Sequence, residues 1–189
     1  MNVLLKGFYF SLFVVINIFS ACNIGGCDPE KSNVSKMDVN EVANIVLGQD
    51  LEALQKKICS LHFKDTTLSY EDIEWKGIVF SNETEVLFLA ETSWLNPQQI
   101  HRVAILSKAM STNSGIHIGS NFRELKDQVI LQSYNELPDG YLGFVDKGDQ
   151  RITYLMDITN HKYLYYFRGD FTILPDSLTV ESIVIVNSE

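Results

Sequence analysis

Ile73-Glu74-Trp75-Lys76-Gly77-Ile78-Val79-Phe80, followed after Ser81-Asn82-Glu83 by Thr84-Glu85-Val86-Leu87-Phe88-Leu89-Ala90, is the stretch on which the fold turns. Both runs are rich in β-branched and aromatic residues, which suit a pleated, half-buried surface. The polar triplet between them is short enough for a tight connection, so the pair predicts a β-hairpin. Downstream, Ile100–Leu106, 130–134, 141–146, 150–157, 163–168 and 180–186 read as further strands. Pro138-Asp139-Gly140, Lys147-Gly148-Asp149 and Leu174-Pro175-Asp176-Ser177 supply turns between them. Strands joined by short turns pair antiparallel, because a parallel return needs a long crossover.

Upstream of the hairpin the period is helical. Asp38 with Glu41 has the form of a capping box, and Val39, Val42, Ala43, Val46 and Leu47 form one apolar stripe. Gly48 interrupts the stripe, and Leu51, Leu54, Ile58 and Leu61 continue it, as two helices or one bent helix. Between the strands, Gly115-Ile116-His117-Ile118-Gly119 leads to a second helix start. Asn121 and Glu124 form its cap, and Phe122, Leu125 and Val129 face one way. The expected fold is α+β: an N-terminal helical segment, then a mainly antiparallel sheet with one inserted helix. The sequence holds no internal repeat and no low-complexity run.

The first 37 residues read differently. Lys6 is followed by a nearly all-apolar run from Gly7 to Ala21, too short for the roughly 20 residues of a spanning helix and interrupted by Ser11 and Asn17. A positive start, a short apolar core and the small residues Ser20 and Ala21 before Cys22 read as a signal peptide over 1–21. The junction Phe19-Ser20-Ala21-Cys22 resembles a bacterial lipoprotein signal, with Phe19 where Leu is usual, and makes Cys22 the expected lipid attachment. Ile24-Gly25-Gly26-Cys27 is a competing box, and secretion with cleavage near Ala21 is the plain alternative. Residues 22–37, polar and without periodicity, read as a flexible tether of roughly 20 Å root-mean-square reach. A single domain is expected over 38–189.

With Cys22 acylated, Cys27 and Cys59 remain as a candidate disulfide in an oxidising compartment, a bond of about 2–4 kcal/mol. The other reading of Cys59 is a buried apolar thiol. The 24 acidic and 15 basic residues leave a net charge of −9. That acidity argues against a nucleic-acid footprint and against electrostatic adhesion to anionic lipid. It leaves acyl chains as the membrane contact and allows a basic protein partner.

The chain lacks a nucleophile elbow, a metalloprotease helix, a phosphate loop, a dinucleotide fingerprint and an EF-hand. His62, His101, His117 and His161 have no ligand spacing among them. Cys59 with His62 is two ligands where zinc needs three or four, so neither a metal nor a cofactor is expected. His117 as a general base would need a partner, and Asp139, Asp146, Asp149 and Asp157 are conceivable paired carboxylates or ordinary turn residues. Tyr163, Tyr165 and Phe167 alternate along one strand, either as a recognition surface or as rings covering the sheet. The sequons at Asn33 and Asn82 matter only in a eukaryotic secretory pathway.

The run Gly115–Leu125, with its Ile118-Gly119-Ser120 turn into a helix carrying Phe122 and Leu125, resembles a family of enterobacterial sigma-E-regulated envelope lipoproteins. The ending is similar: Leu174-Pro175-Asp176-Ser177-Leu178, then Val180, Ser182, Ile183, Val184 and Ile185. The resemblance loosely spans 73–186 and departs from the family at Val184 and Ile185, where the family carries tryptophan nearby. It implies an envelope compartment and this architecture. It carries over no active site, because the family's molecular function is unestablished. The functional expectation is a non-enzymatic envelope lipoprotein, lipid-anchored at the outer membrane and facing periplasm or exterior, serving as a binding or scaffolding domain. The alternative is a periplasmic inhibitor or immunity lipoprotein that neutralises a basic toxin or enzyme.

Overall fold

A computed structural model of the chain describes residues 38–187 apart from 59, 71, 138, 139, 162, 163 and 165–169; for Tyr70 and 131–137 it describes the backbone only. The first helix, α1 (Val39–Val46), opens on the expected box. The Glu41 amide donates to Asp38 Oδ1 at 2.7 Å and the Asp38 amide donates to Glu41 Oε2 at 3.2 Å. Two of the amides that a helix start leaves unpaired are thereby satisfied. Gly48 then takes φ +72°, a left-handed value that favours glycine, and its amide donates to the Ile100 carbonyl at 2.8 Å. The chain therefore forms two helices rather than one bent one. Asp50 caps α2 (Leu51–Lys57) by accepting from the Glu52 and Ala53 amides.

Eight strands follow among the described residues: β1 (His62–Tyr70), β2 (Ile73–Ser81), β3 (Val86–Thr92), β4 (Ile100–Ile105), β5 (Val129–Leu137), β6 (Tyr141–Asp146), β7 (Ile152–Asp157) and β8 (Val180–Val186). They form one sheet in the order β1-β2-β3-β4-β8-β7-β6-β5, antiparallel throughout. Two four-stranded meanders meet where β4 pairs with β8. The fold class is the α+β architecture expected, with helices at the N-terminus and one inserted helix, α3 (Phe122–Leu125).

Several element bounds differ from expectation. β1 has no counterpart in the sequence reading, because it is an edge strand with most of its side chains exposed and shows no buried alternation. β3 starts at Val86 because Asn82 Oδ1 accepts from the Thr84 and Glu85 amides, prolonging the turn. The inserted helix has its Asn121–Glu124 capping box but only four residues, and β5 begins at Val129. The strand expected over 163–168 lies outside the described residues except for Leu164, whose amide bonds to the His161 carbonyl as in a turn.

The core lies on one face of the sheet. Register aligns Ile78, Ala90, Val103, Ile185 and Ile152 in one cross-strand row. Phe80, Phe88, Ile105, Ile183, Tyr154 and Phe144 align in the next. All eleven are buried. Phe80 and Phe88 stack at a 4.8 Å centroid distance. Such cross-strand pairs are the unit of sheet stabilisation. Val39, Val42, Ala43 and Val46 of α1 and Leu54 of α2 join the same core. So do Met110, Ile116, Ile118, Phe122 and Leu125, from the segment that carries the chain from central β4 to β5 at the far edge.

Candidate functional site

Tyr154 is the one polar-tipped member of the second core row, and its hydroxyl needs a partner where it ends. It donates to Asp146 Oδ2 at 2.6 Å and lies 3.3 Å from Thr112 Oγ1. Asp146 closes the end of β6, where its other oxygen accepts from the Gly148 and Asp149 amides at 2.7 and 2.8 Å, shaping the β6–β7 turn. Burial is the main force pushing the Tyr154 phenol well above its ordinary pKa, and the bond to the Asp146 carboxylate adds to it. The phenol is therefore a fixed donor at neutral pH.

Above this pair lies a cavity of about 300 Å³ lined by Asn40, Thr112, Asn113, Ser114, Gln128, Asp146 and Gly148. Four pieces of chain meet there. Asn40 of α1 accepts from the Asn113 amide at 2.8 Å. Thr112 and Ser114 share a hydrogen bond of 2.9 Å between their hydroxyls, and the Ile116 amide donates back to Thr112 Oγ1. Gln128 precedes β5, and its carbonyl accepts from the Lys147 amide. At the rim Arg151 donates to both oxygens of Asp149 at 2.8 and 2.6 Å and to Asn44 Oδ1 at 2.7 Å, tying the turn to α1. The Arg151 bonds hold the Asp149 carboxyl below its ordinary pKa and raise that of the guanidinium.

Chemically, the lining is amides and hydroxyls. Both oxygens of its buried carboxylate, Asp146, are already held by donors. Such a wall suits recognition of a small, neutral, hydrogen-bonding group.

A second polar group sits on the opposite face of the sheet, in β3. Glu91 is 3% exposed, accepts from the Trp75 indole at 3.2 Å, and lies 3.6 Å from Arg102, its cross-strand partner. Among the described residues its Oε1 has no hydrogen-bond partner. Desolvation raises its pKa against the opposing pull of Arg102 and Trp75.

Of the residues singled out in the sequence, Cys22, Cys27, Cys59, Tyr163, Tyr165 and Phe167 lie outside the described residues, as does Asp139. Asp146 and Asp149 come together in one turn. Asp157 is at the other end of β7, where its Oδ1 accepts from the Thr159 amide and hydroxyl. His117 Nδ1 lies 3.1 Å from Ser120 Oγ, but Ser120 is buried and the same nitrogen contacts the Gly115 carbonyl, so this geometry braces a turn. Among the described residues no three His, Cys, Asp or Glu side chains converge as a metal site. No helix among them is long and apolar enough to cross a membrane. Sequence reading missed Asn40, Thr112, Ser114 and Gln128, which are ordinary residue types scattered between positions 40 and 128.

The fold is thus that of a domain built on a single antiparallel sheet with its helices on the core face. No protein-family model matches the chain, and no curated protein does. Among solved structures, it is similar to the crystal structure of the uncharacterized protein YfeY from Escherichia coli. The two are 14% identical, with a TM-score of 0.50, over 75% of this chain and 96% of that one.

Proposed function

We propose that this chain is a bacterial envelope lipoprotein of the sigma-E-regulated type, acylated at Cys22, whose α+β domain is a non-enzymatic binding module. The observation that carries the anchor is the Phe19-Ser20-Ala21-Cys22 junction at the end of the apolar run. The likeness to YfeY supports the α+β architecture and no more. The amide- and hydroxyl-lined niche, whose buried carboxylate is occupied in holding the turn, supports binding over catalysis. The net charge of −9 supports a second reading, an inhibitor of a basic protein.

Mass spectrometry of the mature N-terminus tests the anchor. A diacylglyceryl cysteine at position 22, lost in Cys22→Ala, is the expected result; a lipid-free terminus at both Cys22 and Cys27 overturns it. In-cell crosslinking of the tagged protein tests the module. One stoichiometric partner is expected, and a basic toxin or enzyme in that place would favour the inhibitor.

A further inference from the structure

The hairpin between β3 and β4 ends in an apex of unusual composition. From Thr92 to Ile100 the chain runs Thr-Ser-Trp-Leu-Asn-Pro-Gln-Gln-Ile, with no charged residue, in a protein that is 21% charged. At its tip Trp94 is 60% exposed and Leu95 72% exposed. Ile73, at the start of β2 and the same end of the sheet, is also exposed.

The apex is held in shape. Ser93 Oγ accepts from the Leu95 amide and Ser93 O from the Asn96 amide, while the Asn96 side chain donates to Gln99 Oε1. Its base is fastened to the turn between the helices: the Leu51 amide donates to the Gln98 carbonyl, and the Ile100 amide to the Gln49 carbonyl. Two large apolar side chains are thus presented to solvent by a braced loop, at a standing hydrophobic cost.

We propose that this apex is a second membrane contact, seating Trp94 and Leu95 in the interfacial layer of a zwitterionic phospholipid bilayer. The inference rests on the anchor reading, which brings the domain to that surface. Three observations favour lipid over protein as the occupant. Trp94, Leu95 and Ile73 together offer on the order of a few hundred Å², well short of the roughly 800 Å² per partner of a stable protein interface. The absence of charge over nine residues lets the apex enter the interface without desolvating an ion. Indole, apolar in body with one N–H donor, is enriched at that depth. The acidic chain selects against anionic lipid.

The orientation follows from the fold. α1 runs antiparallel to β4, with Val39 bonded to Ser111 at one end and Gly48 to Ile100 at the other, so the apex and Asp38 lie at opposite ends of the domain. β4 is about 20 Å long. The sixteen residues 22–37 can span at most about 58 Å, enough for lipid and apex to reach one bilayer together.

The test uses the full-length protein reconstituted in phosphatidylcholine vesicles carrying bromine on the upper acyl chain, with flotation read beside tryptophan quenching. About half of the emission, the share of Trp94 among two tryptophans, is expected to be quenched, and Trp94→Phe is expected to abolish that component. Leu95→Asp should reduce the quenching while the protein still floats. Equal quenching of native and Trp94→Phe protein on floating vesicles overturns the apex contact and leaves the anchor intact. Failure to float overturns the anchor; Trp94-dependent quenching by excess added vesicles would then still support the apex, and its absence would overturn it.

Discussion

The Tyr154 hydroxyl donates to Oδ2 of Asp146 across 2.6 Å, and that bond joins the sheet's aromatic row to the wall of the niche. One side chain therefore serves the core with its ring and the β6–β7 turn with its tip. Tyr154→Phe keeps the ring and leaves a buried carboxylate oxygen without a donor. It is expected to cost about 1–3 kcal/mol, read as a lower urea midpoint with unchanged slope. Because the folded phenol is raised above its ordinary value of 10.0, its contribution is complete below pH 10 and is lost as pH rises toward the folded pKa. The native protein should thus weaken on alkaline titration beyond pH 10 by an increment that Tyr154→Phe lacks.

Glu91 behaves in the opposite sense to a stabilising surface carboxylate. Its folded pKa is raised above 4.5, so the domain is favoured with Glu91 protonated: the gain is full below pH 4.5 and is lost as pH climbs through the folded value. Glu91→Gln keeps an acceptor for the Trp75 indole and removes the buried charge. It is expected to raise the melting temperature at pH 7 and to leave it unchanged below pH 4. A lower melting temperature at pH 7 would mean that Arg102 outweighs desolvation.

At the rim of the niche, Asp149 has its pKa lowered from 3.8 chiefly by the hydrogen bonds from Arg151. A lowered carboxylate stabilises above its unfolded value, and that stabilisation disappears as pH falls through the folded one. Asp149→Asn should therefore flatten the loss of stability below pH 3.8, measured by acid titration of the circular-dichroism signal. Arg151→Lys, which cannot form the two-pronged bond, should weaken the same component.

Gly48 turns α1 into α2 at φ +72° while its amide reaches Ile100. Alanine at this position is expected to cost about 1–2 kcal/mol from the left-handed backbone alone, with space for the added carbon since the nearest atom is 3.8 Å away. Chemical denaturation checks this. A neutral result would show that the turn relaxes to a right-handed conformation.

Local signals were legible wherever the partners lie within a few residues. Asp38 with Glu41 and Asn121 with Glu124 announce helix starts because a capping box is built from residues three apart. The hairpins of β2–β3 and β6–β7 announce themselves through turn residues between β-rich runs, and from these the α+β class follows. β1 escaped because an edge strand exposed on both sides has no buried face to impose alternation. The length of α3 escaped because Val129, which continues its apolar spacing, instead opens β5 and pairs with Asp146 across the sheet, a contact no local signal encodes.

By itself, then, the sequence determined the helix caps, the antiparallel hairpins and the acidic charge. All of these are properties of neighbouring residues or of composition. The tertiary structure alone decided that β4 pairs with β8, which brings Ile105 beside Ile183 and so completes the row that ends near Asp146. It alone gathered Asn40, Thr112, Gln128 and Asp146 around one cavity and left Trp94 and Leu95 outside the core. The physical reason is that burial acts between residues distant in sequence. Which side chains it encloses is settled only when the two meanders close into one sheet.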